Sequence, residues 1–238
     1  MLELKNISFQ AEDEKEILKD VSLKIDDKIV VITGPNGGGK STLAKVIAGI
    51  VTPTGGQILL DGEDITGYSV TERANAGISL AFQQPVRFKG LTVRDLITIA
   101  AGKELNVSEA CSYLSEVGLC AKDYIDRELN ASLSGGEIKR IEIATILARG
   151  SKFSIFDEPE AGIDLWSFQS LIRVFEKMQK EYKGTILIIS HQERILDIAD
   201  KIIYIKDGMV EQYGPKDEIL KTLINAAQPC CDVLMQKI

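Results

Sequence analysis

Residues Gly34 to Thr42 read GPNGGGKST and follow a short apolar run, Ile29-Val30-Val31-Ile32-Thr33. Such a run predicts a buried parallel strand, and the GxxxxGKS spacing after it predicts a tight turn that opens a helix. That restricts the chain to an α/β fold with this turn at the end of a central strand. Gly34, Gly37, Gly38 and Gly39, with Pro35 and Asn36 among them, let the backbone turn sharply and aim its N–H groups inward. The helix starting near Ser41 points its positive dipole end at the same spot. Polyphosphate belongs there. Lys40 is placed to reach β and γ phosphates as a point charge, the Ser41 hydroxyl to ligate a bridging magnesium ion, and Thr42 to support the α or β phosphate.

The chain has 238 residues, 45% hydrophobic and 26% charged, enough for one globular domain with a sizeable core. No apolar run approaches the roughly 18 residues that cross a bilayer, and the opening MLELKNISFQAEDEKEI has no signal-peptide core. These features predict a cytoplasmic chain without direct membrane insertion. A net charge of −7 gives no electrostatic footprint for nucleic acid. Cys111, Cys120, Cys230 and Cys231 show neither CxxC spacing nor a paired framework, and are expected to be reduced thiols.

Strand-type runs at 2–9, 17–25 and 57–60 surround the phosphate loop and predict a mixed or antiparallel layer. Helical patterning takes over from 91 to 148, first with Leu91, Val93, Leu96, Ile97 and Ile99, then with Leu114, Val117 and Leu119. Strands return at Phe153 to Phe156, Thr185 to Ile189 and Lys201 to Ile205, with a helix from Leu165 to Tyr182, which is the βαβ rhythm of a parallel sheet. Asp207-Gly208 turns a final hairpin. The expected organisation is a nucleotide-binding core with a β subdomain (1–85 and 149–238) and an inserted helical subdomain (86–148).

Two carboxylates end the strand at Phe153. Asp157 is placed to hold magnesium through water, and Glu158 to face the γ phosphate and orient or deprotonate the attacking water. Leu133-Ser134-Gly135-Gly136-Glu137 then opens a helix with Ile138, Ile141, Thr145 and Ala148 on one face, which offers a second anion-binding helix start. One γ phosphate hardly needs two such starts in one chain, so the second is offered to a partner.

LSGGE at 133–137 resembles the signature motif of the ATP-binding cassette (ABC) ATPase family, and the resemblance spans essentially the whole chain. It implies a P-loop NTPase core with an antiparallel β subdomain and a helical subdomain. It also implies ATP and Mg2+ as cofactors and an ATP-dependent homodimer. In such proteins two cassettes stack head to tail, each nucleotide lying between one phosphate loop and the other signature. Hydrolysis then removes the interfacial glue and opens the dimer. Gln83, in preference to the neighbouring Gln84, resembles the Q-loop glutamine that touches magnesium and the attacking water; Ala161-Gly162-Ile163-Asp164 resembles the D-loop; His191, the only histidine, resembles the switch histidine. Catalysis is thus assigned to Glu158, His191 and Gln83, and the metal to Ser41, Gln83 and Asp157.

Some positions depart from the family pattern. Ala11, with Phe9 nearby, stands where many cassettes stack an aromatic on adenine; Ala161 replaces a leading serine, and Glu160 a frequent threonine. AFQQPV at 81–86 and HQERILDIADKI at 191–202 resemble the SufC-type ATPase of iron–sulfur cluster assembly, which implies a SufB/SufD-like scaffold as partner. LTVRDL at 91–96 and the compact helical lobe resemble transporter cassettes, which implies a membrane permease instead. ABC ATPases of DNA repair and translation usually carry a long coiled coil or two cassettes, and this chain has neither.

Overall fold

The computed structural model describes residues 1–12, 14–84, 86–129 and 133–227. Pro85 of the segment 81–86 and the adjacent Cys230 and Cys231 lie outside them. Of the other cysteines, Cys111 is half-buried and Cys120 exposed, both free.

Strands β1 (Leu2–Gln10) and β2 (Glu16–Ile25) pair antiparallel and lead into β3 (Ile29–Thr33), the phosphate loop and helix α1 (Lys40–Ala48). Then come β4 (Gly55–Leu60), β5 (Glu63–Asp64), α2 (Val70–Ala76) and β6 (Ile78–Ala81). Four helices follow: α3 (Val93–Ala101), α4 (Val107–Glu116), α5 (Ala121–Tyr124) and α6 (Gly135–Arg149). The chain returns through β7 (Phe153–Asp157), α7 (Leu165–Glu181), β8 (Thr185–Ile189), α8 (Glu193–Asp197), β9 (Lys201–Lys206), β10 (Met209–Pro215) and α9 (Lys216–Ala227).

Two sheets form. The smaller, β2-β1-β4-β5, is antiparallel, which decides between the two expected layer types. The larger runs β10-β9-β3-β8-β7-β6, parallel except for the β9–β10 hairpin. Every residue of β3, β7 and β8 is buried, because helices or the smaller sheet cover both faces. Period-2 alternation splits those strands between two cores. Ile29 and Val31 of β3, with Ile186 and Ile188 of β8, face a core completed by α3, α4, α6 and α7. Val30 and Ile32, with Leu187 and Ile189, face a core shared with α1 and the antiparallel sheet. The phosphate loop therefore leaves the end of a strand clamped on both sides.

Two expectations need adjusting. Ile99, counted with the apolar face of α3, is 63% exposed. Helix α6 is buried over far more than one face, including Lys139, Ile143, Ala144 and Ile146, because it lies between α3, α4 and the core. The sequence reading places no element at α2, β6, α8 or α9.

Candidate nucleotide site

The conformation of the phosphate loop explains its glycines. Gly34 has φ +141°, and a Cβ there would lie 1.9 Å from the carbonyl oxygen of Ile205. A side chain is excluded twice over, by conformation and by space. The predicted turn at Asp207-Gly208 has φ of 51° and 81°, the primed hairpin geometry, and it braces this loop. The Gly208 N–H donates to Gly38 O at 3.2 Å, and Gly208 O accepts from Lys19 N at 2.9 Å. A hairpin distant in sequence thus fixes the phosphate loop against β2.

A cavity of about 640 Å³ opens over the loop, lined by Asn36 to Thr42, Gln83 and Glu158, with Lys15, Glu16, Ile17, Lys19, Asp207 and Gly208. Lys40 is buried, its ammonium donating to the carbonyls of Gly34 (2.8 Å) and Pro35 (2.9 Å). Burial lowers its pKa, while Glu158 and Asp157 act in the opposite direction. A cation held by neutral carbonyls can transfer to phosphate oxygens, where a charge-assisted bond is stronger.

The paired acids have different partners. Asp157 ends β7 buried and accepts from the Ser41 hydroxyl at 3.1 Å. Burial raises its pKa, the Ser41 bond opposes that, and Glu158 adds to it. A buried carboxylate beside a hydroxyl is an oxygen pair suited to a hard divalent cation, so these residues fit Mg2+. Glu158 adopts φ 45°, and its Oε2 accepts from Gln83 Nε2 at 2.5 Å, joining two of the three predicted catalytic residues inside the cavity. The Glu158 carbonyl accepts from the buried Lys139 ammonium at 2.7 Å, a contact without a motif to announce it.

His191 stands exposed just beyond β8, its ring 3.4 Å from Gln192 Nε2, and is not part of the cavity wall. Neither are residues 133–137 or 161–164. Ser134 caps α6 in a reciprocal box: its Oγ accepts from Glu137 N (3.3 Å), and Glu137 Oε2 accepts from Ser134 N (2.7 Å). The box engages the amides of Ser134 and Glu137, not those of Gly135 and Gly136. Leu133 is buried and anchors the turn, whereas Ser134 and Gly135 face outward. Gly136 packs near Ile163, and Asp164 caps α7 through Trp166 N and Ser167 N, both at 3.0 Å. Residues 133–137 and 161–164 are thus neighbours outside the cavity of their own chain.

No aromatic ring lines the cavity among the described residues. Phe9 is half-buried and packs against the core, and Ile17 is the apolar residue presented instead. Sequence patterning missed Ile17, Lys15 and Lys19, because only the fold of β2 over the loop brings them there.

The family model described as ABC transporter matches residues 18–161. An uncharacterized ABC transporter ATP-binding protein of Methanocaldococcus jannaschii, MJ0035, is 39% identical over 86% of this chain and 85% of its own length. A probable ATP-dependent transporter, ycf16, of Cyanidium caldarium is 34% identical over 85% of each chain. Among solved structures, the dimeric MJ0796 cassette of an ABC transporter superposes with a TM-score of 0.81 at 26% identity, covering 91% of this chain and 99% of that one. The arrangement of phosphate loop, paired acids, glutamine and capped LSGGE helix on this sheet has one reading: the chain belongs to the ABC family of ATP-binding cassettes, ATP hydrolases that bind ATP with Mg2+.

Proposed function

We propose that two copies of this chain hydrolyse ATP at two equivalent interfaces, the phosphate loop of one facing Leu133 to Glu137 of the other. One observation carries the reading: Lys40, Gln83 and Glu158 wall the nucleotide cavity, while the second helix start at Ser134 faces outward, away from it. Ser41, Asp157 and Gln83 would hold a magnesium ion, which would supply charge neutralisation at the phosphates, and the 34–42 backbone with Lys40 cradles the phosphates. Glu158 takes the proton of the attacking water or orients it, Gln83 positions that carboxylate, and His191 reads the γ phosphate. Residues 86–148 move as a unit about Gln83 when the interface opens.

The driven partner is a SufB/SufD-like scaffold of iron–sulfur cluster assembly in the cytoplasm. The segments AFQQPV and HQERILDIADKI support it. Phe82, Val86 and Phe88, all exposed beside Gln83, offer an apolar landing place within reach of the catalytic pair. A second reading, the motor subunit of a membrane transporter, is favoured by the names of the relatives above. Among the described residues no helix is long and apolar enough to cross a membrane. A tagged pull-down from the native host, with soluble and membrane fractions analysed separately, discriminates the readings. A stoichiometric soluble scaffold is the expected result; a multi-helix membrane protein recovered only in detergent overturns it.

A further inference from the structure

Glu160 starts the turn leading into the D-loop, yet its side chain points back to β8. Its Oε1 accepts from the hydroxyl of Ser190, the residue before His191. Ser190 is buried, its N–H tied to Ile32 O of β3 at 3.1 Å, and its Oγ accepts in turn from Gln192 N at 3.0 Å. The hydroxyl thus donates to one loop and accepts from the other, spanning His191 on both sides. The Glu160 carbonyl accepts from Ile163 N at 3.2 Å, which fixes the D-loop turn from the same residue. Its second carboxylate oxygen is buried with no hydrogen-bond partner among the described residues. Burial raises the Glu160 pKa, and the Ser190 bond and His191 oppose the rise. A carboxylate kept in such surroundings needs a reason beyond solubility, since a half-satisfied buried acid destabilises the fold.

We propose that Glu160 is a positioning residue that couples the His191 loop to the D-loop through Ser190. The inference rests on the ATPase reading of the site. Residues 161–164 lie against the signature helix start, with Gly135 and Gly136 facing Gly162 and Ile163. Movement of His191 toward a γ phosphate therefore pulls Ser190, Glu160 and the D-loop together, and the signature face of the same chain follows. Occupancy of one nucleotide site thereby reaches the surface that completes the other. The link needs an acceptor oxygen at position 160 and a hydroxyl at 190; it does not need net charge.

The test is a set of steady-state ATPase measurements on purified full-length chain. Glu160→Ala and Ser190→Ala are each expected to lower kcat about 10-fold while KM for ATP stays within 2-fold, because the phosphate cradle is untouched. The double variant should be no worse than either single, and Glu160→Gln, which keeps an acceptor oxygen, should recover to within about 3-fold of the parent. Melting temperature distinguishes coupling from mere packing: the kcat loss must persist where Glu160→Ala melts like Glu160→Gln. Parent-like turnover in both alanine variants, losses that multiply in the double variant, or a Gln variant as impaired as Ala would overturn the coupling. If those variants turn over normally while Glu158→Gln is inactive, the strut fails and the ATPase reading stands. A parent chain without ATPase activity removes both.

Discussion

Arg73 is the residue whose loss should be felt farthest from where it sits. It is 1% exposed, and its guanidinium donates to four backbone carbonyls: Val46 (2.6 Å), Ile47 (2.9 Å), Thr66 (2.7 Å) and Tyr68 (3.2 Å). The first two belong to the last turn of α1, so Arg73 caps the helix whose other end forms the phosphate cradle. Arg73→Met keeps most of the stem and removes the donors. Four charge-assisted bonds at about 1.5–3 kcal/mol each give roughly 6–12 kcal/mol gross. Several kcal/mol return because a buried cation no longer needs desolvating, a cost visible in the lowered Arg73 pKa. The net loss is about 4 kcal/mol, which for a chain of this size lowers the melting temperature by roughly 8–16 °C. Calorimetry with urea titration measures it. A loss below about 1 kcal/mol would refute the capping argument, and so would an Arg73→Lys variant as stable as the parent, since an ammonium cannot reach four carbonyls.

Burial pushes the Glu142 carboxyl up to about 7, against the opposing pull of the Phe82 N–H and Lys139. The folded chain then holds a proton that the unfolded chain has released above its ordinary carboxylate value, so stability falls as pH rises through about 7. Glu142→Gln should raise the melting temperature more at pH 8 than at pH 5, with ~3 kcal/mol as the ceiling; equal gains at both would sink the assignment. Lys40→Ala should weaken ATP binding at least 30-fold by calorimetric titration, leaving the melting temperature of the nucleotide-free chain nearly unchanged, because only a cation folded back on neutral carbonyls is lost. Gly34→Ala should cost more than 3 kcal/mol of stability as well as ATP binding, because the new methyl meets the Ile205 carbonyl.

What the sequence disclosed follows from which constraints are local. The run 29–33 and the strands at 153 and 185 are buried on both faces, so they read as mostly apolar segments. The phosphate loop needs glycine at fixed spacing, and its acids follow a strand directly. Strand β6 escaped because it is four residues long and includes Ser79, whose hydroxyl is paired inside with Ser151. Helix α2 carries a complete Ser69–Glu72 capping box, a signal that was present and went unused. Arg73 and Lys139 escaped for a different reason, and Glu160 stood out only as a departure from the family pattern. Each is a charged residue whose partners are backbone or hydroxyl groups outside its own element, and no pattern in a single chain marks such a pairing. The same holds for Ile17 and the hairpin at 207–208, which reach the phosphate loop only after the sheets have assembled.

The central claim is that nucleotide joins two copies through Ser134 of one and Lys40 of the other. Sedimentation velocity of the Glu158→Gln chain tests it most directly, because slowed hydrolysis preserves the joined state. A dimer in Mg-ATP, a monomer in Mg-ADP, and a monomer again when Ser134→Arg is added are the predicted results. A chain that binds Mg-ATP yet stays monomeric, or dimerises without regard to Ser134, would contradict the account.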